Sequence, residues 1–180
     1  MARPDSPFLP PDPQGEVTYR VPIYLMNLLV AVNRVRDAGL EKALKDTGLG
    51  VGRYRALSVI WRLGACTMSE LSIISASDRT TLTRIVDHLV GAGLVERHAG
   101  SDDRRKVELR ITAPGLVALR RAEAIVETCN AECLADMPDE TQRTMVRGLE
   151  SMLGHLGRTA EQMEKVLQPR RAPGAESADS

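Results

Sequence analysis

The chain has 180 residues, 24 Lys+Arg against 24 Asp+Glu, no formal net charge and 43% hydrophobic residues. That is the size of one domain with tails, apolar enough to bury a core, and its balanced charge excludes bulk attraction to nucleic acid or anionic membrane, so any such binding has to come from local placement. Aromatic residues make up only 3%, with one Phe and one Trp, which leaves the core to Leu, Val, Ile, Ala and Met.

Residues 1–16 hold Pro4, Pro7, Pro10, Pro11 and Pro13. Proline at that density sustains neither a helix nor a ladder, so the segment reads as a flexible arm. Residues 17–46 read as a long helix in which Val21, Leu25, Leu28, Val32 and Val35 recur at spacings of four and three. Ile23, Met26, Leu29 and Val30 widen that stripe beyond what a single subunit can cover. A second helix runs from about Gly52 to Leu63, with Tyr54, Leu57, Ile60 and Trp61 on one face and Gly64 at its end.

Thr67-Met68-Ser69-Glu70 has the spacing of a capping box and opens a short helix to about Ser75. After a polar break, Arg79 to about Val90 places Leu82, Ile85, Val86, Leu89 and Val90 on one helical face. Thr80, Arg84 and Asp87 point the other way, with Thr83 and His88 at the flanks. Gly91 and Gly93 stop the helix, and the period changes to two. Leu94–His98 and Val107–Ile111 alternate as two strands, joined through the charged turn 99–105. Three helices followed by a β-hairpin make a winged helix-turn-helix. Thr112 then caps a fifth helix carrying Leu119, Ala122, Val126, Cys129 and Cys133, and Pro138-Asp139-Glu140 starts a sixth carrying Met145, Leu149, Met152 and Leu156. The end of the chain, 169–180, reads as a disordered tail.

This order of elements resembles the MarR family of bacterial transcriptional regulators from residue 17 to about 166. The resemblance is carried by Thr81-Leu82-Thr83-Arg84-Ile85-Val86-Asp87-His88-Leu89, Gly93-Leu94-Val95-Glu96-Arg97, Asp103-Arg104-Arg105 and Leu109-Arg110-Ile111-Thr112. The family pattern is a T-x-T-R-x-x-D-x-L recognition helix, a G-L-V/I-x-R strand and a D-x-R wing tip before L-T. Here Ile111 stands where the family usually has Leu, and His88 where it usually has a basic residue. The fold so implied is mostly α (α+β): one domain over 17–168, with dimerisation helices at 17–46 and 113–168 around a winged helix-turn-helix at 50–112.

The residues also argue for DNA without the resemblance, through position rather than total charge. Between Asp78 and Thr112 seven Lys/Arg face six Asp/Glu, an excess of one. The basic and hydroxyl groups nevertheless fall on the outward face of the second helix of the turn and at the hairpin tip, where such domains meet a duplex. The expected DNA contacts are Ser77, Arg79, Thr80, Thr81, Thr83, Arg84, His88, Asp103, Arg104 and Arg105. The resemblance implies that Arg105 enters the minor groove, oriented by Asp103. The plainer alternatives are a solvated helix face and a turn-forming aspartate. The resemblance further implies a homodimer on a pseudo-palindromic operator, acting as a repressor that a small aromatic effector releases. Tyr19, Arg20, Tyr24, Asn27, Arg53, Tyr54 and Trp61, with Arg34, have the chemistry to hold a phenolic or carboxylate group.

Other chemistries find little support. Three cysteines in no paired pattern point to a reducing compartment. With no membrane-length apolar run and no signal-like N-terminus, the expected location is the cytoplasm. Cys129 and Cys133 read as stripe fillers and Cys66 as a turn residue; none lies near the start of the first helix, where some relatives sense peroxide. No metal-ligand spacing, Gly-rich phosphate loop or G-x-S-x-G occurs, so neither cofactor nor catalytic residues are expected. The alternatives left open are a constitutive DNA binder or activator without an effector, a thiol-based redox sensor and a protein-interaction module.

Overall fold

A computed structural model describes residues 21–75, 78–99 and 107–156. Contacts divide the chain into two compact units, residues 1–39 and 40–180. In the first, helix α1 (Val21–Ala43, whose last turn belongs to the second unit) is helical throughout its described length. Six apolar side chains along it are exposed, Ile23, Leu25, Met26, Val30, Val32 and Val35, the last three by 62–74%. The expected arm, residues 17–20, Ser77, the wing tip and the chain after 156 lie outside the described residues.

The second unit holds the core. After α1 come a 3-10 turn at Lys45–Thr47, α2 (Val51–Leu63), β1 (Cys66–Thr67), α3 (Met68–Ser75), α4 (Arg79–Gly91), β2 (Val95–Ala99), β3 (Val107–Ile111), α5 (Ala113–Leu134) and α6 (Asp139–His155). The sheet is antiparallel in the order β1-β3-β2, with Cys66 opposite Leu109 and Val95 opposite Ile111. Leu44, Leu57, Ile60, Leu71, Leu82, Val86, Leu89, Leu109 and Leu119 are fully buried among these elements. The third strand and the 3-10 turn were not legible in the sequence, and Cys66 lies on β1 rather than in a turn. Two residues of strand are too short for alternation to show; the pairing comes from β3.

Local chemistry fixes each boundary around the helix-turn-helix. Thr67 Oγ1 accepts the Glu70 N–H at 3.3 Å while the Glu70 carboxylate accepts the Thr67 N–H at 2.7 Å, the reciprocal capping box at the start of α3. Asp78 Oδ1 accepts the Thr81 N–H at 2.9 Å and starts α4. At the other end Gly93, at φ +69°, lets the Leu94 N–H reach the Leu89 carbonyl and the Gly93 N–H reach that of Val90, both at 2.9 Å. That pair of bonds is a Schellman closure, and it turns the chain directly into β2. The α2 N-terminus is capped from α1: the Glu41 carboxylate accepts the Val51 N–H at 2.8 Å.

The wing is rooted on α5. Thr112 Oγ1 donates to the Gly93 carbonyl at 2.7 Å and accepts the Gly115 N–H at 3.0 Å. Gly115 is buried, and a Cβ there would stand 2.0 Å from the Leu94 carbonyl oxygen, so only glycine permits this approach. Along α5, Leu119, Ala122 and Val126 are buried, Cys129 is half-buried and Cys133 is exposed. Cys133 therefore does not fill this core, contrary to the stripe reading, because α5 runs past its packing partners. Helix α6 buries no residue; Met145, Val146 and Leu149 are exposed on it, and Leu156 just after it.

Candidate nucleic-acid interface

Helix α4 is held by one apolar stripe and offers the rest of its surface. Leu82, Val86 and Leu89 are fully buried and Ile85 and Val90 pack partly against the core. Arg79, Thr80, Thr81, Thr83, Arg84, Asp87 and His88 are all exposed. Six of the ten expected DNA contacts thus share one outward surface on one rigid helix; Ser77, Asp103, Arg104 and Arg105 lie outside the described residues. Thr83 Oγ1 donates to the Arg79 carbonyl at 2.8 Å, which fixes its rotamer and leaves its lone pairs outward. The Asp78 carboxyl is held below its usual range chiefly by its hydrogen bonds to Thr81, so it stays anionic at the helix N-terminus.

Two features of this surface come only from the folded chain. Arg97 on β2 donates to Asp87 Oδ1 at 2.6 Å, an ion pair that ties the wing strand to the recognition helix. Both residues stand in the quoted motifs, but ten positions apart on different elements, so no local pattern pairs them. On the opposite flank Arg53 of α2 joins Thr81, Arg84, Ile85 and His88 around an open cleft of ≈ 300 Å³. On the outer face of the wing, His98 pairs with Glu96 and Arg110 with Glu108, each at 3.0 Å.

The expected effector residues are distributed over both units. Tyr19 and Arg20 lie outside the described residues, Tyr24 is half-buried and Asn27 and Arg34 are exposed on α1, and Arg53, Tyr54 and Trp61 are half-buried on α2. The Arg120 guanidinium covers one face of Trp61 at 4.5 Å from the ring centroid. Burial, with Glu70 and Glu108 nearby, pushes the Cys66 thiol up to about 12. It is therefore a neutral core group with no nucleophilic character at neutral pH. Among the described residues no cluster of His, Cys, Asp or Glu could hold a metal ion, and no helix is long and apolar enough to cross a membrane.

The sequence profile of the MarR family matches residues 50–107, the span from the start of α2 to the start of β3. The multiple antibiotic resistance protein MarR of Escherichia coli is 30% identical over 146 residues, covering 81% of this chain and 92% of that protein. The chain belongs to the MarR family. It is a DNA-binding transcriptional regulator and not an enzyme. A regulatory protein of Thauera aromatica named for the hcr operon is 30% identical over 99 residues, and the chain spans 60% of its length. Among solved structures, a mutant of Escherichia coli MarR complexed with operator DNA superposes with a TM-score of 0.66 at 25% identity, covering 76% of this chain and 98% of that one. The winged helix-turn-helix expected from the sequence is therefore the fold of this MarR-family protein.

Proposed function

We propose that this MarR-family regulator is a homodimeric repressor that binds a pseudo-palindromic operator and is released by a small aromatic effector. The observation that carries the DNA reading is the outward surface of α4, where Arg79, Thr80, Thr81, Thr83, Arg84 and His88 stand exposed on a helix whose other face is locked into the core. A recognition helix reads base edges from such a surface, and two copies must sit one helical turn apart, about 34 Å, to enter successive major grooves. The solved complex of an Escherichia coli relative with operator DNA supports the DNA reading. Dimerisation is supported by the apolar side chains left exposed on α1 and α6, including Ile23, Met26, Val30 and Leu149. Scattered apolar groups are ordinary on a surface, but two helices carrying several each are what a subunit seam requires.

Effector release rests on residue chemistry. Tyr19, Arg20, Tyr24, Asn27, Arg53, Tyr54 and Trp61 offer guanidinium, phenol, amide and indole groups suited to an aromatic anion. Such a ligand lowers DNA affinity only by binding a conformation with a different helix spacing more tightly. At the wing, Arg105 oriented by Asp103 enters the minor groove, where narrow grooves concentrate negative potential, and Arg104 lies beside them.

Fluorescence anisotropy of the full chain on duplexes taken from beside its own gene and on scrambled duplexes tests the reading. The expected result is salt-sensitive, sequence-selective binding that a panel of aromatic carboxylates and phenols reverses. Selective binding that no member of the panel weakens would favour a constitutive regulator, and the absence of any duplex binding would refute the proposal.

A further inference from the structure

Beside the recognition helix lies a second cationic feature that no motif predicts. Thr81, Arg84 and His88 recur at spacings of three and four along α4, which puts them on one stripe, and Ile85 lies beside it. Across a cleft of ≈ 300 Å³ that stripe faces Arg53, in the first turn of α2, and no carboxylate lines the cleft. The Nε of Arg53 is shielded from solvent and has no hydrogen-bond partner. Among the described residues, the side chains of Arg53, Arg84 and His88 have no ion-pair partner either. A guanidinium held in such a place without a counter-ion can take an anion from outside through its terminal nitrogens.

The two flanks of α4 differ in just this respect. On the wing side Arg97 is neutralised by Asp87 at 2.6 Å. On the α2 side Arg53 makes no ion pair among the described residues, and Glu41, which lines a neighbouring depression with it, already accepts the Val51 N–H. A helix lying in a major groove about 12 Å wide has a phosphate backbone along each lip. Among the described residues, the α2 flank of this helix thus offers one backbone an unpaired guanidinium, whereas Arg97 on the wing flank is already paired.

We infer that Arg53, with His88 and Thr81, forms a phosphate clamp that grips one strand of the duplex along the α2 lip of the groove. This rests on the reading that the chain binds duplex DNA, and it moves Arg53 from the effector group suggested by the sequence to the DNA backbone. Arg84, between the clamp and the base-facing surface, is left to the base edges by the proposed function. The clamp carries no sequence information, because phosphates are common to every site.

The test compares the wild type, Arg53→Gln, Arg53→Lys and Arg121→Gln as full-length protein, by anisotropy on operator and scrambled duplexes across a salt series. Arg121 is exposed on α5 and removes the same charge away from the cleft. Arg53→Gln should weaken both duplexes by a similar factor, keep their ratio, and flatten the log–log salt slope by about one per phosphate lost in each subunit. Arg53→Lys should keep the slope, and Arg121→Gln should leave both readouts near wild type. Melting temperatures serve as the folding control. Arg53→Gln should melt no lower than the wild type, since Nε makes no bond to lose.

Wild-type affinity and slope in Arg53→Gln would overturn the clamp, as would an equal loss in Arg121→Gln. Inorganic phosphate titrated into the DNA-free protein should give no saturable heat. Saturable heat that Arg53→Gln abolishes, together with an unchanged DNA slope, would mark a pocket for a free anion instead and overturn the duplex assignment. A wild type that binds no duplex defeats the underlying function; a binding wild type matched by Arg53→Gln defeats the clamp alone.

Discussion

Replacing Gly115 by Ala strikes the joint between the wing and α5. The added Cβ would stand 2.0 Å from the Leu94 carbonyl oxygen and 2.9 Å from Ile111 Cγ1, and the first contact is with backbone, which cannot rotate away. Relief requires the start of α5 to move off the α4–β2 connection. Overpacking of this kind costs ~1–3 kcal/mol. The same Leu94 carbonyl accepts the Thr112 N–H at 3.1 Å, and losing that bond adds about 1 kcal/mol. A total of ~2–4 kcal/mol corresponds, at ~2–4 °C per kcal/mol for a chain of this size, to a melting point lowered by roughly 4–16 °C. Far-UV circular dichroism melts of the wild type, Gly115→Ala and Gly91→Ala provide the assay. A Cβ at Gly91 meets nothing within 4 Å, so that variant should melt at or above the wild type, alanine being the better helix former. Gly115→Ala as stable as the wild type would refute the close approach that roots the wing.

Leu149→Glu places a carboxylate in the proposed subunit seam on α6, at a cost of several kcal/mol if unpaired; light scattering should show loss of the dimer, and a fully dimeric variant would remove α6 from the seam. Cys133, exposed on α5, should react with a thiol reagent in the native protein, whereas buried Cys66, its thiol near 12, should react only after unfolding. Mass-mapped labelling that found Cys66 modified first would contradict its burial. The Asp78 carboxyl is lowered from 3.8 by its bonds to Thr81, so its contribution to stability is present above that value and is lost as pH falls through the lower folded one. Asp78→Asn keeps a capping oxygen without the titration, so wild type should lose melting temperature relative to it as pH drops below about 4. A pH-independent difference would show that the cap does not titrate with folding.

Helix α4 was legible because a single period of 3.6 runs from Leu82 to Val90, with Asp78 before it and Gly93 after it. The two longer strands showed in the alternation of Val107, Leu109 and Ile111 and in the Leu94–His98 run, and Thr67 and Thr112 announced their helices by spacing alone. What stayed hidden was tertiary. β1 exists because Leu109 offers Cys66 a partner, and nothing in a two-residue strand declares that beforehand. The Asp87–Arg97 pair and the Arg53 cleft join side chains from different elements, and Arg53 was read with Tyr54 and Trp61 because they share a helix, although its folded neighbours are on α4. Cys133 was misread since periodicity marks a stripe but not where the partner of that stripe ends.

The central claim is that the outward face of α4 reads base sequence, and Arg84 tests it most directly. The commonest specific contact of an arginine in the major groove is with guanine, and losing a good bidentate contact costs ~1–3 kcal/mol of discrimination. Anisotropy of the wild type and Arg84→Ala on operator and scrambled duplexes, at one salt concentration, measures that ratio. The account predicts that Arg84→Ala binds the operator more weakly while its binding to the scrambled duplex changes far less, so that discrimination collapses. An unchanged ratio between the two duplexes would contradict it.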